Sequence, residues 1–187
     1  MKKIISTLLL LAMSVRLFAA SALTSETRLT LKHTQEISNN IGFPKDIANI
    51  DIEQFFSNGN SSATAQTGVM FYVSRDLTTG STDTYRLVSS HTNNLGETVN
   101  FARIKTILIR NNSDVASLSF GNATDNPWGT WSGVSTATVI IPKEGFVYWQ
   151  APIEGWLVSS GTADRIMIQN NGLATANYDL CITGCSQ

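Results

Sequence analysis

Hydrophobic and polar positions alternate along this chain in short runs, and almost no stretch has the 3.6-residue period of a helix. From residue 67 onward, turn residues separate the runs at intervals of about 8–12 residues, a spacing typical of sandwiches and barrels. The runs are Val69–Val73, Asp83–Val88, Val99–Ile109, Val115–Phe120, Thr136–Ile141, Gly145–Trp149, Trp156–Val158, Arg165–Ile168 and Asn177–Ile182. We therefore predict an all-β fold for residues 67–187, an antiparallel two-sheet β-sandwich or jelly-roll-like single domain.

Two features of these runs carry further expectations. The end of Val99–Ile109 is apolar on both faces, which predicts a central strand covered on both sides. Ile107–Phe120 and Ile166–Leu180 each place Asn-rich turn residues (NNSD and NNG) between two apolar runs. Because Asn and Gly tolerate positive φ angles, both segments are predicted to be tight hairpins.

Residues 23–66 give a mixed pattern, interpreted as an N-terminal strand and loop segment. Thr27–Leu31 alternates as a strand does. Ile47–Phe56 is typical of a short helix or irregular packing, with Asp46 as a candidate N-cap. Ser57–Gln66 is polar, contains an Asn-Gly pair and is predicted to be a loop.

The first 22 residues have the three parts of an export signal. Two lysines precede the apolar run Ile4–Val15, and Ala20–Ala22 supplies small residues for cleavage. The apolar run is too short to span a bilayer core of about 30 Å. The alternatives are an uncleaved N-terminal anchor, a buried helix, and a start at Met13. If the signal is used, the mature chain begins near Leu23.

Composition narrows the classes of partner. Charged residues make up 14% of the chain, against about 25% in an average domain, and the net charge is −1. The sequence lacks the excess of positive charge that is typical of nucleic-acid-binding proteins, so no nucleic-acid partner is predicted.

Catalytic chemistry is not indicated by any motif. The two histidines, His33 and His91, are far apart in sequence, and no nucleophile elbow, phosphate loop or dinucleotide fingerprint occurs. A glycan-cleaving enzyme would need two opposed carboxylates, but acids in turns are common to any domain. The candidates for that pair are Asp125, Glu144, Glu154 and Asp164. We predict a protein that is not an enzyme and uses no cofactor or metal.

An aromatic cluster offers a more specific signal. Trp128 and Trp131 lie in a loop with Pro and Gly, which predicts a surface position as an interface or as a stacking platform for a glycan. Trp149 and Trp156 lie in strand-like runs and are better candidates for the core. The alternative is that all of these rings fill the sandwich or close its end.

Cys181 and Cys185 form a candidate disulfide. Four residues of extended chain span about 13 Å, whereas bridged Cα atoms lie about 4.4–6.8 Å apart. A bridge therefore requires a turn at residues 182–184, where Gly184 is available. Export would allow the bridge, and two separate thiols are the alternative.

Several stretches between residues 67 and 184 resemble a widespread group of small phage virion-associated proteins whose genes lie near capsid genes. The FARIK run after a Gly-containing turn is the best landmark. The matching stretches are Leu95–Lys105, Asn126–Trp128, Thr138–Gly145, Gly161–Asp164 and Asn177–Leu180. The resemblance implies a β-sandwich that binds a particle surface, as a decoration, fibre-associated or minor capsid protein.

The resemblance also implies a virion location, a homo-oligomer, and contacts with other virion or surface-assembly proteins. The export signal departs from this pattern, because phage virion proteins are normally assembled in the cytoplasm. The alternative is an exported carbohydrate-binding or adhesive module, located in the periplasm, at the cell surface or outside the cell, with glycans as partners.

Overall fold

The computed structural model describes Leu23 and residues 25–36, 45–93 and 95–186. The export signal or anchor predicted for residues 1–22 lies outside these residues. Every regular element that the structure describes is a β-strand. The strands are β1 (Ser25–Glu36), β2 (Lys45–Asn58), β3 (Gln66–Thr67), β4 (Val69–Leu77), β5 (Thr82–Arg86), β6 (Val88–Thr92), β7 (Thr98–Asn100), β8 (Arg103–Asn111), β9 (Leu118–Gly121), β10 (Thr138–Ile141), β11 (Phe146–Gln150), β12 (Trp156–Leu157), β13 (Arg165–Asn170) and β14 (Ala176–Cys185).

Two sheets face each other and enclose the core. The four-stranded sheet has the order β10-β9-β13-β5, and the five-stranded sheet has the order β11-β8-β14-β4 with β12 beside β8. All neighbours in both sheets are antiparallel. Ile107 and Ile109 from one sheet share a single buried cluster with Ile166 and Ile168 from the other. The predicted all-β, two-sheet antiparallel sandwich is confirmed.

Strand β8 is central in its sheet, as its apolar sequence predicts. It lies between β14 on one side and β11 with β12 on the other. Residues 104–107 are all buried, so both faces of the strand are covered over this stretch. Toward its end the cover on one face is lost, because Leu108 is half-buried and Arg110 is exposed.

The two Asn-rich segments do not form hairpins, so this prediction is wrong. β8 and β13 end at Asn111 and Asn170, and the strand that follows each belongs to the opposite sheet. Asn111 Nδ2 donates to the Ala116 carbonyl at 2.8 Å, and Asn170 Nδ2 donates to the Ala174 carbonyl at 2.7 Å. Each buried amide satisfies the backbone of a turn that carries the chain between sheets.

The helix considered for Ile47–Phe56 is also wrong, because these residues belong to β2. Apolar and acidic residues alternate here with the period of a strand, and Leu29 of β1 pairs with Ile52 of β2. The strand predicted at Thr27–Leu31 is confirmed as part of β1. Together β1 and β2 form a long antiparallel ribbon, which we call the arm.

Candidate assembly surface

The arm is long relative to its attachment to the sandwich. Its strands pair from Ser25 with Phe56 to Glu36 with Lys45, twelve residue pairs in all, so the ribbon is about 40 Å long. At its root, Phe56 is buried, and β2 pairs in parallel with the two residues of β3. The described residues of β1 and β2 pair with no other strand.

The middle of the arm is uncovered on both sides. Residues 49–53 of β2 are all exposed, and successive side chains of a strand point to opposite faces. Ile50 and Ile52 share one face and are 52% and 50% exposed. Leu29, paired with Ile52, lies on the same face and is half-buried. We call these three residues the apolar stripe.

Behind the apolar stripe the opposite face of the arm is polar, whereas nearer the root the same face carries Phe55, which is 60% exposed. Arg28 Nη2 lies 3.2 Å from Asp51 Oδ2, and Thr30 Oγ1 donates to Asp51 Oδ1 at 2.9 Å. These bonds, first from Thr30 and then from Arg28, lower the pKa of Asp51. This face therefore keeps its groups satisfied in water, and the apolar stripe is the side of the arm that gains from burial.

The root of the arm lies against the outer face of the five-stranded sheet, the face turned away from the core. The Tyr148 hydroxyl is hydrogen-bonded to Thr27 Oγ1 at 2.9 Å and to Gln150 Oε1 at 2.8 Å. Burial raises the pKa of Tyr148. The phenol therefore stays protonated well above neutral pH and acts here as a positioning contact.

A groove of about 490 Å³ runs between the root of the arm and this outer face. Its floor includes Thr106 and Thr183, which are buried and joined through their hydroxyls at 2.7 Å. Its apolar lining comes from Leu29, Met70, Leu108, Phe146 and Cys181.

The strand register explains which apolar side chains lie beside the two threonines of the groove. Tyr148 of β11 pairs with Leu108 of β8, Leu108 with Cys181 of β14, and Cys181 with Tyr72 of β4. These four side chains form one row across the outer face. Tyr72 is 45% exposed at the far end of this row, on β4. Phe146, two residues before Tyr148 on β11, is 59% exposed at the opposite edge of the sheet. Both edges of the outer face therefore expose an aromatic ring.

Lys105 fastens the root of the arm to the sandwich. Where β14 shifts register between Thr183 and Gly184, β8 has one extra residue, Lys105, and such a bulge re-aims a side chain. Its ammonium group is buried and donates to the carbonyls of Ser62, Thr64 and Ile153. Burial lowers the pKa of Lys105. The loop that follows the arm is thus tied to the body.

Trp128 is not the surface residue that its loop context predicts. It is 1% exposed, its Nε1 donates to the Leu157 carbonyl at 2.9 Å, and its ring meets Trp156 edge-on at 6.5 Å. Trp131 is half-buried and stacks on Trp149 at 4.7 Å. The rings close the sandwich and offer no open platform for a glycan. The prediction of surface positions is wrong for Trp128, and for Trp131 it holds only in part.

Cys181 and Cys185 are not joined by a disulfide. Both lie in β14, which continues through residues 182–184 without the required turn. Gly184 has a different role, because a Cβ there would clash with the Arg103 carbonyl oxygen on β8. The predicted disulfide is therefore corrected to two separate thiols. Burial raises the pKa of Cys181, which is in the groove.

The acids considered for glycan cleavage support turns and loops. Asp125 Oδ2 lies 3.3 Å from Arg165 Nη1. Asp164 is fully buried, and its Oδ2 lies 3.1 Å from Arg86 Nε. Glu144 has a positive φ of 55° in the turn before β11. Glu154 is exposed, and its backbone carbonyl accepts a hydrogen bond from Arg103 Nη1 at 3.2 Å.

His91 is half-buried between Phe71 and Tyr85, with ring centroids 5.3 and 5.5 Å away, and burial lowers its pKa. The side chain of His33 lies outside the described residues. Among the residues that the structure describes, no three His, Cys, Asp or Glu side chains are grouped closely enough to hold a metal ion. Within the same residues, no helix has the length and apolar character to cross a membrane.

Comparisons with known proteins leave the family open. No protein-family model matches the chain, and no curated protein matches it. Among solved structures, the coat protein of tobacco streak virus overlaps with 64% of this chain and 90% of its own, at 14% identity and a TM-score of 0.27. This is a partial structural similarity to a virus coat protein, and its TM-score is too low to support an argument about function.

Proposed function

We propose that this protein is a non-enzymatic structural component of a phage or phage-like particle, located in the virion and acting through protein–protein contacts. The observation that carries the proposal is the arm. It presents Ile50 and Ile52 to solvent, and among its described residues the contacts with the sandwich lie at the root.

An uncovered arm of this kind is unfavourable in an isolated molecule. A two-stranded ribbon alone is marginally stable in water, and its edges invite pairing with another chain. A partner that covers the apolar stripe stabilises the ribbon, and a partner strand added along an edge would pair the open backbone groups. This supports a role in which the protein is built into a larger assembly.

The low charge and the sequence resemblance support the same role. With 14% charged residues and a net charge of −1, copies approach one another without strong repulsion. The stretches around FARIK resemble phage virion-associated proteins, so we propose a decoration, fibre-associated or minor capsid protein. The exported glycan-binding alternative rested on the signal segment and on the aromatic cluster, and the burial of Trp128 weakens the second of these supports.

The test is to purify particles from the native source on a density gradient and measure this chain by quantitative mass spectrometry across all fractions. We expect it to sediment with the particles, in many copies per particle, and to resist a high-salt wash. A known soluble protein from the same lysate serves as the control. Recovery of the chain only in soluble, periplasmic or medium fractions would overturn the proposal.

A further inference from the structure

The arm and the outer face each leave an apolar surface open, and the two surfaces suit each other. The arm leaves Ile50 and Ile52 half-exposed on a strand face. The outer face leaves Phe146 and Tyr72 exposed beside a groove. In one molecule the root of the arm reaches this face through Thr27 and Tyr148, and Leu29 lines the groove, whereas Ile50 and Ile52 are not among its lining residues.

We propose that two copies of this chain exchange arms, so that Ile50 and Ile52 of each copy occupy the groove on the outer face of the other. The inference rests on the proposed function and deepens it, because it names the contact surface and the partner. Leu29, which is paired with Ile52, lines the groove on the side of the arm. A second copy therefore brings the same kind of apolar strand surface to the same lining.

The area that the arm can bury favours a reciprocal contact over a one-way contact. The root of the arm already lies against its own sheet, so the face that a partner can cover comprises the eight residue pairs from Leu29 with Ile52 to Glu36 with Lys45. At about 26 Å long and about 10 Å wide, this face covers about 260 Å². One arm on one sheet then removes about 500 Å² from water, counting both surfaces, which is the size of a weak lattice contact. Two arms exchanged about a two-fold axis remove about 1,000 Å², which reaches the smallest area expected of a specific interface.

The polar face of the arm fixes which side docks. Arg28, Thr30 and Asp51 bond to one another on that face, and burying them against an apolar groove would cost their hydration. The apolar stripe has no such groups. Docking through the stripe therefore leaves the ion pair in solvent, at the outside of the exchanged dimer.

The first experiment measures self-association by sedimentation velocity over a range of concentrations, for the wild type and for an Ile50→Thr, Ile52→Thr double variant. Both residues are exposed and Thr keeps strand propensity, so the variant is expected to fold. We expect a wild-type dimer, with a dissociation constant raised at least about 100-fold in the variant as apolar area is lost from both arms. The matched control is Ile140→Thr, Ile153→Thr, two equally exposed residues outside the arm and groove. A monomeric wild type, or equal loss in the control, would overturn the inference.

The second experiment locates the contact by disulfide cross-linking of an Ile52→Cys variant with the native Cys181 in the groove. We expect a covalent dimer on a non-reducing gel, and we expect Cys181→Ser in the same variant to abolish it. A covalent dimer that persists without Cys181 would show arm-to-arm contact and overturn the inference. Cross-linking within a monomer would show that the arm covers its own sheet and would also overturn it.

These results can be separated from the test of the proposed function. If the chain is found in purified particles but forms no arm-dependent dimer, the structural role is supported and arm exchange is wrong. If the chain forms an arm-dependent dimer but is absent from particles, arm exchange is supported and the structural role is wrong.

Discussion

Replacing Lys105 by Met tests whether the root of the arm is held by the buried ammonium group. The Lys105 side chain enters from the bulge in β8 and donates to three carbonyls, those of Ser62, Thr64 and Ile153. Met has a similar length and retains the packing of the aliphatic stem. The variant therefore removes the charge and the three hydrogen bonds while leaving the volume nearly unchanged.

The expected loss of stability follows from the carbonyls that lose their donor. A buried carbonyl left without a partner costs about 1–3 kcal/mol. The Thr64 carbonyl keeps the backbone N–H of Gln66 as a donor at 2.8 Å, so the carbonyls of Ser62 and Ile153 are the two that lose their donor. Ile153 is exposed and Ser62 is half-buried, so water reaches both after a small movement. The low end of the range therefore applies, about 2 kcal/mol in total, and relief from burying a charge offsets part of it. We expect the free energy of unfolding to fall by about 1–2 kcal/mol.

Urea unfolding followed by tryptophan fluorescence measures this difference, with the slope of the transition checked for two-state behaviour. Lys143→Met is the matched control, because Lys143 is exposed and its replacement should change stability by no more than about 0.5 kcal/mol. If Lys105→Met unfolds at the same urea concentration as this control, the ammonium group does not hold the root. Hydrogen exchange should also rise in residues 61–65, the loop that it contacts.

Three further predictions concern other parts of the sandwich. Trp128→Ala should lower the free energy of unfolding by about 3–5 kcal/mol, since a buried ring leaves a cavity; a loss below about 1 kcal/mol in urea unfolding would place the ring at the surface. Alkylation of the denatured, unreduced protein should modify both Cys181 and Cys185, because no disulfide joins them. Intact-mass measurement checks this, and an unchanged mass would show that the two cysteines are bridged. A hydrogen bond from Asn112 lowers the pKa of Asp179 below its ordinary value of 3.8. The ionised Asp179 therefore stabilises the folded protein above pH 3.8, and this stabilisation is lost as the pH falls through the lower pKa of the folded state. Asn112→Ala should raise this pKa in a carboxyl-carbon NMR titration, and an unchanged pKa would contradict the assignment.

The sandwich was predictable because its strands alternate locally. β13, for example, alternates half-buried and buried positions along its whole length, with Ile166 and Ile168 in the core. Strand order was not predictable, since β13 pairs with β5, about 80 residues earlier in sequence. The Asn-rich turns show the same limit. The residues identify a turn, but whether the next strand joins the same sheet depends on contacts far away in sequence.

The candidate site was missed for related physical reasons. The alternation at Ile50 and Ile52 was a usable strand signal, but helical and irregular packing were favoured for that segment. Lys105 was also a usable signal, because it and Arg103 are charges within the run Val99–Ile109, whose end was predicted to be covered on both faces. Trp128 was predicted to lie at the surface because a loop with Pro and Gly is usually exposed. In the structure its ring is buried, and its Nε1 donates a hydrogen bond to the Leu157 carbonyl of β12.

The position of Lys105 connects the stability of the sandwich to the proposed assembly. An arm that swung freely about its root would lose much conformational entropy when a second copy captured it. The buried ammonium group ties the loop after β2 to the body, and the Thr27–Tyr148 bond holds β1 against the outer face. The direction of the arm is therefore set before any partner arrives. Energy from burying the apolar stripe can then appear as affinity, because less of it is used to order the arm.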